Sequence, residues 1–186
     1  MKKLPFIFLL LTALCYGFVS CVDSDEDTWN EYKEWRETNE SWLAEKAQKK
    51  NTDGSDFYKK ISPAWDRSSY VYIHYFNDTT LTRGNLSPMY TSTVDVKYIG
   101  RFYDGTAFDS SYLNTSPADS IFRTKLSGVI SGWAIALNDM HVGDSCEVLI
   151  PYQWAYGSSK YGDIKPYSAL QFNIKLVDIP GYEIQP

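Results

Sequence analysis

The sequence predicts an α+β fold, and three observations carry that expectation. From about residue 69 onward, short stretches alternate apolar and polar residues at strand spacing. One central run, Ser131 to Met140, places Trp133, Leu137 and Met140 on a single helical face. Ahead of both, Trp29 to Lys50 holds no Gly or Pro and reads as an amphipathic helix. Several antiparallel strands with one short helix among them describe an α+β domain. With 186 residues, 44% of them hydrophobic, the chain can bury one full core and carry extra sequence besides. Aromatic residues at 16% exclude a disordered or fibrous chain.

In chain order, residues 1–20 read as an export signal. Lys2 and Lys3 precede an apolar run from Leu4 to Leu14, which is too short for a stable membrane span, and small and turn-forming residues follow up to Ser20. Phe18-Val19-Ser20-Cys21 resembles a bacterial lipobox, with Phe18 where Leu is usual. Lipidation of a new N-terminal Cys21 would supply the several acyl chains that stable anchoring requires. The expected location is therefore the cell envelope, lipid-anchored to the outer membrane, either periplasmic or surface-exposed. Residues 21–67 form an acidic tether and the amphipathic helix. Trp29, Tyr32, Trp35, Trp42 and Leu43 share much of one helical face, and Asn51 to Ser55 ends the helix. Three Trp on one stripe are more often docked on the protein's own domain than offered to a partner.

The strand-bearing domain is expected over 68–186. Tyr70 to Phe76 is dense in β-branched and aromatic residues, and Thr93 to Phe102 alternates around Val94, Val96 and Tyr98. Val148 to Ile150 is apolar, and Leu170, Phe172, Ile174 and Leu176 alternate with Gln171, Asn173 and Lys175. Such alternation shows one buried face per strand.

Charge and residue counts exclude several functions. The formal charge is −5, and it becomes −7 once Lys2 and Lys3 leave with the signal. No basic stripe interrupts this balance, which excludes nucleic acid as a partner. His74 and His141 are the only histidines, with no zinc-site spacing and no Gly-rich phosphate loop, so neither metal nor cofactor is expected. Cys15 leaves with the signal and Cys21 is consumed by lipid, so Cys146 remains as a packing residue or quiet thiol.

A set of short blocks occurs in order: Tyr98-Ile99-Gly100, Asp104-Gly105-Thr106-Ala107-Phe108-Asp109, Val129-Ile130-Ser131-Gly132-Trp133, Met140-His141-Val142-Gly143, Ile150-Pro151 and Ala155-Tyr156-Gly157. With the closing Leu170 to Ile174 stretch, these closely resemble the FKBP family, the macrolide-binding peptidyl-prolyl cis-trans isomerases, over residues 68 to 180. The resemblance implies a half-barrel antiparallel sheet wrapped around the Trp133 helix, with an active site between them. It implies Trp133 as the floor of a proline pocket, Tyr98, Phe108 and Phe172 as walls, and Val129, Ile130 and Ile164 as further lining. Tyr156 would hydrogen-bond a substrate carbonyl, and Asp109 would orient the pocket and polarise the bound amide. The segment between Asp109 and Trp133 departs from the family in length, with Phe122 as a candidate wall. The Ser158 to Tyr167 loop is one residue short, with Lys165 where Pro is common.

The implied substrates are proline-containing polypeptides, with binding of a macrolide-type inhibitor as a corollary. Two other functions stay open at this point. One is a membrane-anchored module that docks proline segments without turnover; the other is a chaperone gripping unfolded chains through the N-terminal helix.

Overall fold

Among the described residues seven strands form one antiparallel sheet. The computed structural model describes residues 23–181; the signal and Cys21 lie outside them. The chain divides into two units, residues 1–31 and 32–186. The first contains helix α1, Asp23–Glu31. The second begins with helix α2, Lys33–Ala47, and contains every strand.

The single helix expected from Trp29 to Lys50 is therefore two helices, and it ends three residues early. Tyr32 interrupts it, with φ −98° and ψ 18°, while its carbonyl accepts the Arg36 N–H at 2.8 Å and so starts α2. At the far end, Lys50 pairs with Asp56 in an isolated bridge. Asn51 N–H donates to the Ser55 carbonyl at 2.8 Å, so the chain reverses instead of continuing the helix. Gly54, at φ +86°, supplies the left-handed residue that this turn needs.

The inward face of α2 also differs from expectation. Its buried residues are Arg36 and Asn39, whereas Trp35, Trp42 and Leu43 are half-buried. The cause is the surface it covers, a loop whose backbone needs partners more than it needs apolar cover. Asn39 Oδ1 accepts the Ala169 N–H at 3.0 Å, and its Nδ2 donates to the Trp35 carbonyl at 2.8 Å. Trp35 Nε1 donates to Ser168 Oγ at 3.0 Å, and its ring meets Tyr103 edge-on at 5.3 Å. The ammonium of Lys165 lies 4.4 Å from the Trp35 ring, so the residue that departs from the family pattern has a local partner.

The strands are β1 (Lys59–Ile61), β2 (Val71–Tyr75), β3 (Thr93–Arg101), β4 (Ala107–Ser110), β5 (Phe122–Lys125), β6 (Ser145–Ile150) and β7 (Leu170–Asp178). Their order is β1-β2-β6-β7-β3-β4, with β5 also paired to β3. The sheet thus begins with β1, ahead of residue 68. Three strands escaped the sequence reading. β1 has three residues, and β4 and β5 have four each and bury no side chain fully, so they show no apolar alternation.

Helix α3, Ser131–Asp139, lies against the concave face as expected, and buries Trp133 and Leu137, with Met140 just beyond its end. The core joins these to Val71, Ile73, Val94, Val96, Cys146, Val148, Ile150, Leu170, Ile174 and Leu176. Gly132 allows the close approach: a Cβ there would sit 2.3 Å from the Ile150 side chain. Asp95 on β3 takes a two-pronged contact from Arg123 on β5, both distances 2.7 Å, and so fixes the short strand that carries Phe122.

Candidate active site

Between the sheet and the N-terminal end of α3 lies a cavity of about 370 Å³ lined by Tyr98, Phe108, Asp109, Phe122, Val129, Ile130, Trp133, Tyr156, Tyr161 and Phe172, with Thr124 and Gly128. Each wall has a separate origin. Tyr98 points inward from β3, Phe172 from β7, Phe108 and Asp109 come from the short β4, and Trp133 rises from the first turn of α3. Gly100 makes room for two of the walls, because a Cβ there would lie 2.6 Å from the Phe108 ring and 2.7 Å from the Phe172 ring.

The rings meet edge to face. Trp133 lies 4.9 Å from Tyr98 at 82° and 5.3 Å from Phe172 at 87°, while Phe108 meets Phe172 at 5.6 Å and 87°. Phe122 closes the same side, 5.6 Å from Tyr98 and 6.4 Å from Trp133. Such contacts place positive ring edges against negative faces and hold the cage at a fixed width. The indole N–H of Trp133 is buried with no hydrogen-bond partner among the described residues.

One carboxylate and three phenols stand in this lining, with the Thr124 side chain beside them. Tyr98 donates its hydroxyl to Asp109 Oδ2 at 2.6 Å, and the Ser110 N–H donates to Asp109 Oδ1 at 2.7 Å, so the carboxylate is held on both oxygens. Burial, then the Asp109 contact, raises the Tyr98 phenol above the ordinary range. The Tyr156 phenol is raised by burial first and by Tyr161 and Asp109 after that. Its ring stacks on Tyr161 at 4.5 Å and 11°.

The structure brings together Tyr98, Phe108, Asp109, Val129, Ile130, Trp133, Tyr156 and Phe172, and adds the candidate wall Phe122. Ile164 stands apart from the lining. It is 5% exposed and exchanges backbone hydrogen bonds with Tyr161 at 3.0 and 2.9 Å, so it props Tyr161 from behind. The sequence reading missed Tyr161 and the direct Tyr98–Asp109 bond. Tyr161 sits in a loop without periodicity, and its aromatic character after Ala155-Tyr156-Gly157 was the one available signal.

Among the described residues no thiol and no imidazole lines the cavity. Cys146 is fully buried in β6, and burial raises its thiol. His74 Nδ1 is bonded to the Phe57 carbonyl at 2.9 Å, away from the site. Among the described residues no group of three or more His, Cys, Asp or Glu could hold a metal ion.

A small aromatic cage inside a half-barrel, with one held carboxylate and three phenols in its lining, defines a class, and sequence comparison gives the same class. Residues 84–177 match the family of FKBP-type peptidyl-prolyl cis-trans isomerases, and the chain belongs to that family. It is 42% identical over 93 residues to the FKBP-type 22 kDa peptidyl-prolyl cis-trans isomerase of Escherichia coli K12, covering 50% of this chain and 43% of that protein. It is 41% identical over 97 residues to the macrophage infectivity potentiator of Trypanosoma cruzi, covering 52% and 47%. The chain thus spans less than half the length of either relative. Among solved structures, a peptidyl-prolyl cis-trans isomerase from Pseudomonas syringae pv. tomato superposes with a TM-score of 0.62 at 26% identity, covering 80% of this chain and 95% of that one. FkpA from Escherichia coli superposes equally well, at 0.62, with 24% identity, a likeness of fold.

Proposed function

We propose that this chain catalyses cis-trans isomerisation of X-Pro bonds in exported polypeptides, from a lipid anchor in the cell envelope. The observation that carries the reading is the Trp133-floored aromatic cage holding the Tyr98–Asp109 pair and Tyr156 in one cavity. The chemistry follows from the bond. An X-Pro amide is planar by resonance, with a rotation barrier of about 18–20 kcal/mol and exchange over tens of seconds or longer. Rotation breaks no covalent bond, so neither nucleophile nor metal is required. The twisted amide has lost charge separation and suffers less than the planar one from leaving water, so a dry cage favours the transition state. Each tenfold in rate needs about 1.36 kcal/mol of that preference.

In this arrangement the proline ring sits on Trp133 between Phe108 and Phe172. Tyr156 donates its hydroxyl to a carbonyl of the substrate chain, because its own phenol donates to no protein group among the described residues. Asp109, which forms no ion pair among the described residues, keeps Tyr98 oriented and presents negative potential to the amide carbon as its partial charges shift. Thermal exchange of short X-Pro peptides, followed by NMR with the purified protein, tests this. Clear acceleration is expected, with kcat/KM falling about tenfold or more both in Tyr156→Phe, which loses one hydrogen bond in the transition state, and in Asp109→Ala, which removes the carboxylate from the cage. Absence of acceleration by the wild-type chain would reduce the site to a proline-segment binding module.

A further inference from the structure

On the adjoining side of α3 lies a second and larger cavity, of about 510 Å³, walled by Pro63, Trp65, Tyr90, Ala134, Ile135 and Trp154. Part of its rim, Pro63 and Trp65, precedes the span 84–177 matched by the family. Trp65 is 68% exposed and Tyr90 53%, and two large rings bared beside one apolar cleft are more than scattered surface hydrophobics. The rim is held in place. Asp66 accepts from the Ser68 N–H at 2.9 Å and from the Ser68 and Ser69 hydroxyls. The loop leading to Tyr90 is tied to the end of α3 through Asn85 Nδ2 to the Val142 carbonyl at 2.7 Å and Val142 N–H to the Leu86 carbonyl at 2.8 Å.

The two cavities are separate but are lined by residues adjacent or nearly adjacent in the chain. Ile130 lines the first and Ser131 the second; Trp133 floors the first and Ala134 the second; Tyr156 and Trp154 stand two residues apart in the same way. Crossing one turn of helix, about 10 Å wide, takes about three to five residues of extended chain at about 3.3 Å each. We infer that this groove is a second subsite for the substrate chain. It seats an aromatic or large aliphatic side chain lying three to five residues from the proline whose bond is held over Trp133. The inference rests on the isomerase reading above, and it names the substrate class: unfolded segments in which a proline and an exposed apolar residue lie close in sequence. Asp66, the one carboxylate in the lining, has both its oxygens engaged by Ser68 and Ser69, and the walls named above are apolar or aromatic.

The test compares a tetrapeptide containing Ala-Pro with nonapeptides that add a Phe four residues before or four residues after the proline, using the full chain and its Trp65→Ser and Tyr90→Ser variants. The expected result is that one of the two nonapeptides has a kcat/KM about tenfold above the tetrapeptide in the wild type, through a lower KM, and that this ratio falls to near one in both variants. Amide shifts at Ser131 and Ala134 on binding the favoured nonapeptide, seen with no tetrapeptide, place the contact, and unchanged thermal midpoints show that the variants are folded. A wild type that turns over the tetrapeptide but treats all three peptides alike overturns the groove and leaves the isomerase standing. A wild type inactive on every peptide overturns the isomerase reading instead. Sedimentation that shows a dimer lost in Trp65→Ser, with no peptide preference, overturns the inference by assigning the groove to a second copy of the chain.

Discussion

Tyr98 does two jobs with one side chain: its ring forms a wall 4.9 Å from Trp133, and its hydroxyl holds Asp109. Removing the hydroxyl alone separates them. Tyr98→Phe keeps the wall and frees the carboxylate, so kcat/KM should fall by about three- to tenfold while KM changes little, a split that stopped-flow peptide kinetics would read. The same phenol has a stability signature. It binds its proton more tightly in the folded chain than in the unfolded one, so its contribution is whole below the ordinary phenol value of about 10 and drains away as pH climbs through the higher folded value. Thermal midpoints should thus decline above about pH 10, less steeply in Tyr98→Phe. An equal slope in both proteins would refute the assignment, since Tyr58 and Tyr75, also raised chiefly by burial, remain in each. Most individual site residues were legible in the sequence, because Phe108-Asp109 beside a Gly turn and Tyr156 before Gly157 are types that packing alone does not require. The bond between Tyr98 and Asp109 was not legible: it depends on β3 and β4 pairing with Ile99 opposite Ser110, a register that no local pattern records.

Helix α2 shows where element-scale reading succeeds and where it stops. Its existence followed from a stretch free of Gly and Pro, but its orientation followed from Asn39 meeting a backbone N–H 130 residues away, which an apolar stripe cannot announce. The consequence is measurable. Asn39→Ala leaves the buried Ala169 N–H without an acceptor and should cost about 1–3 kcal/mol in urea unfolding. Glu37→Ala, on the exposed face of the same helix, should stay within about 0.5 kcal/mol. Strand β7 was legible for the opposite reason: it buries one face against the core, so Leu170, Phe172, Ile174 and Leu176 repeat at its period, whereas helix α3, buried without a break from Gly132 to Leu137, was legible through the spacing of Trp133 and Leu137. The edge strands β4 and β5 have no fully buried face to record.

At the scale of the whole molecule, the proposed anchor makes the simplest prediction. Cys21→Ser should move the protein from the membrane fraction into the soluble one on cell fractionation, because the proposed acyl chains are attached through the thiol that this substitution removes. Continued sedimentation with membranes would remove the lipid from the account. The frame of the domain has a consequence of its own. Strand β3 pairs with β7 along most of its length, with β5 over Thr93 to Val96 and with β4 over Ile99 to Arg101, and Tyr98 falls in the gap between these two neighbours. There Ser111, fully buried, closes the gap, accepting the Tyr98 N–H through its hydroxyl at 2.9 Å and donating its own N–H to the Tyr98 carbonyl at 3.0 Å. Three walls of the cage therefore hang from one strand and keep the spacing of its ladder. Such a mould is set by backbone pairing and not by a guest, so in the proposed reaction the bond that turns would belong to the visitor alone.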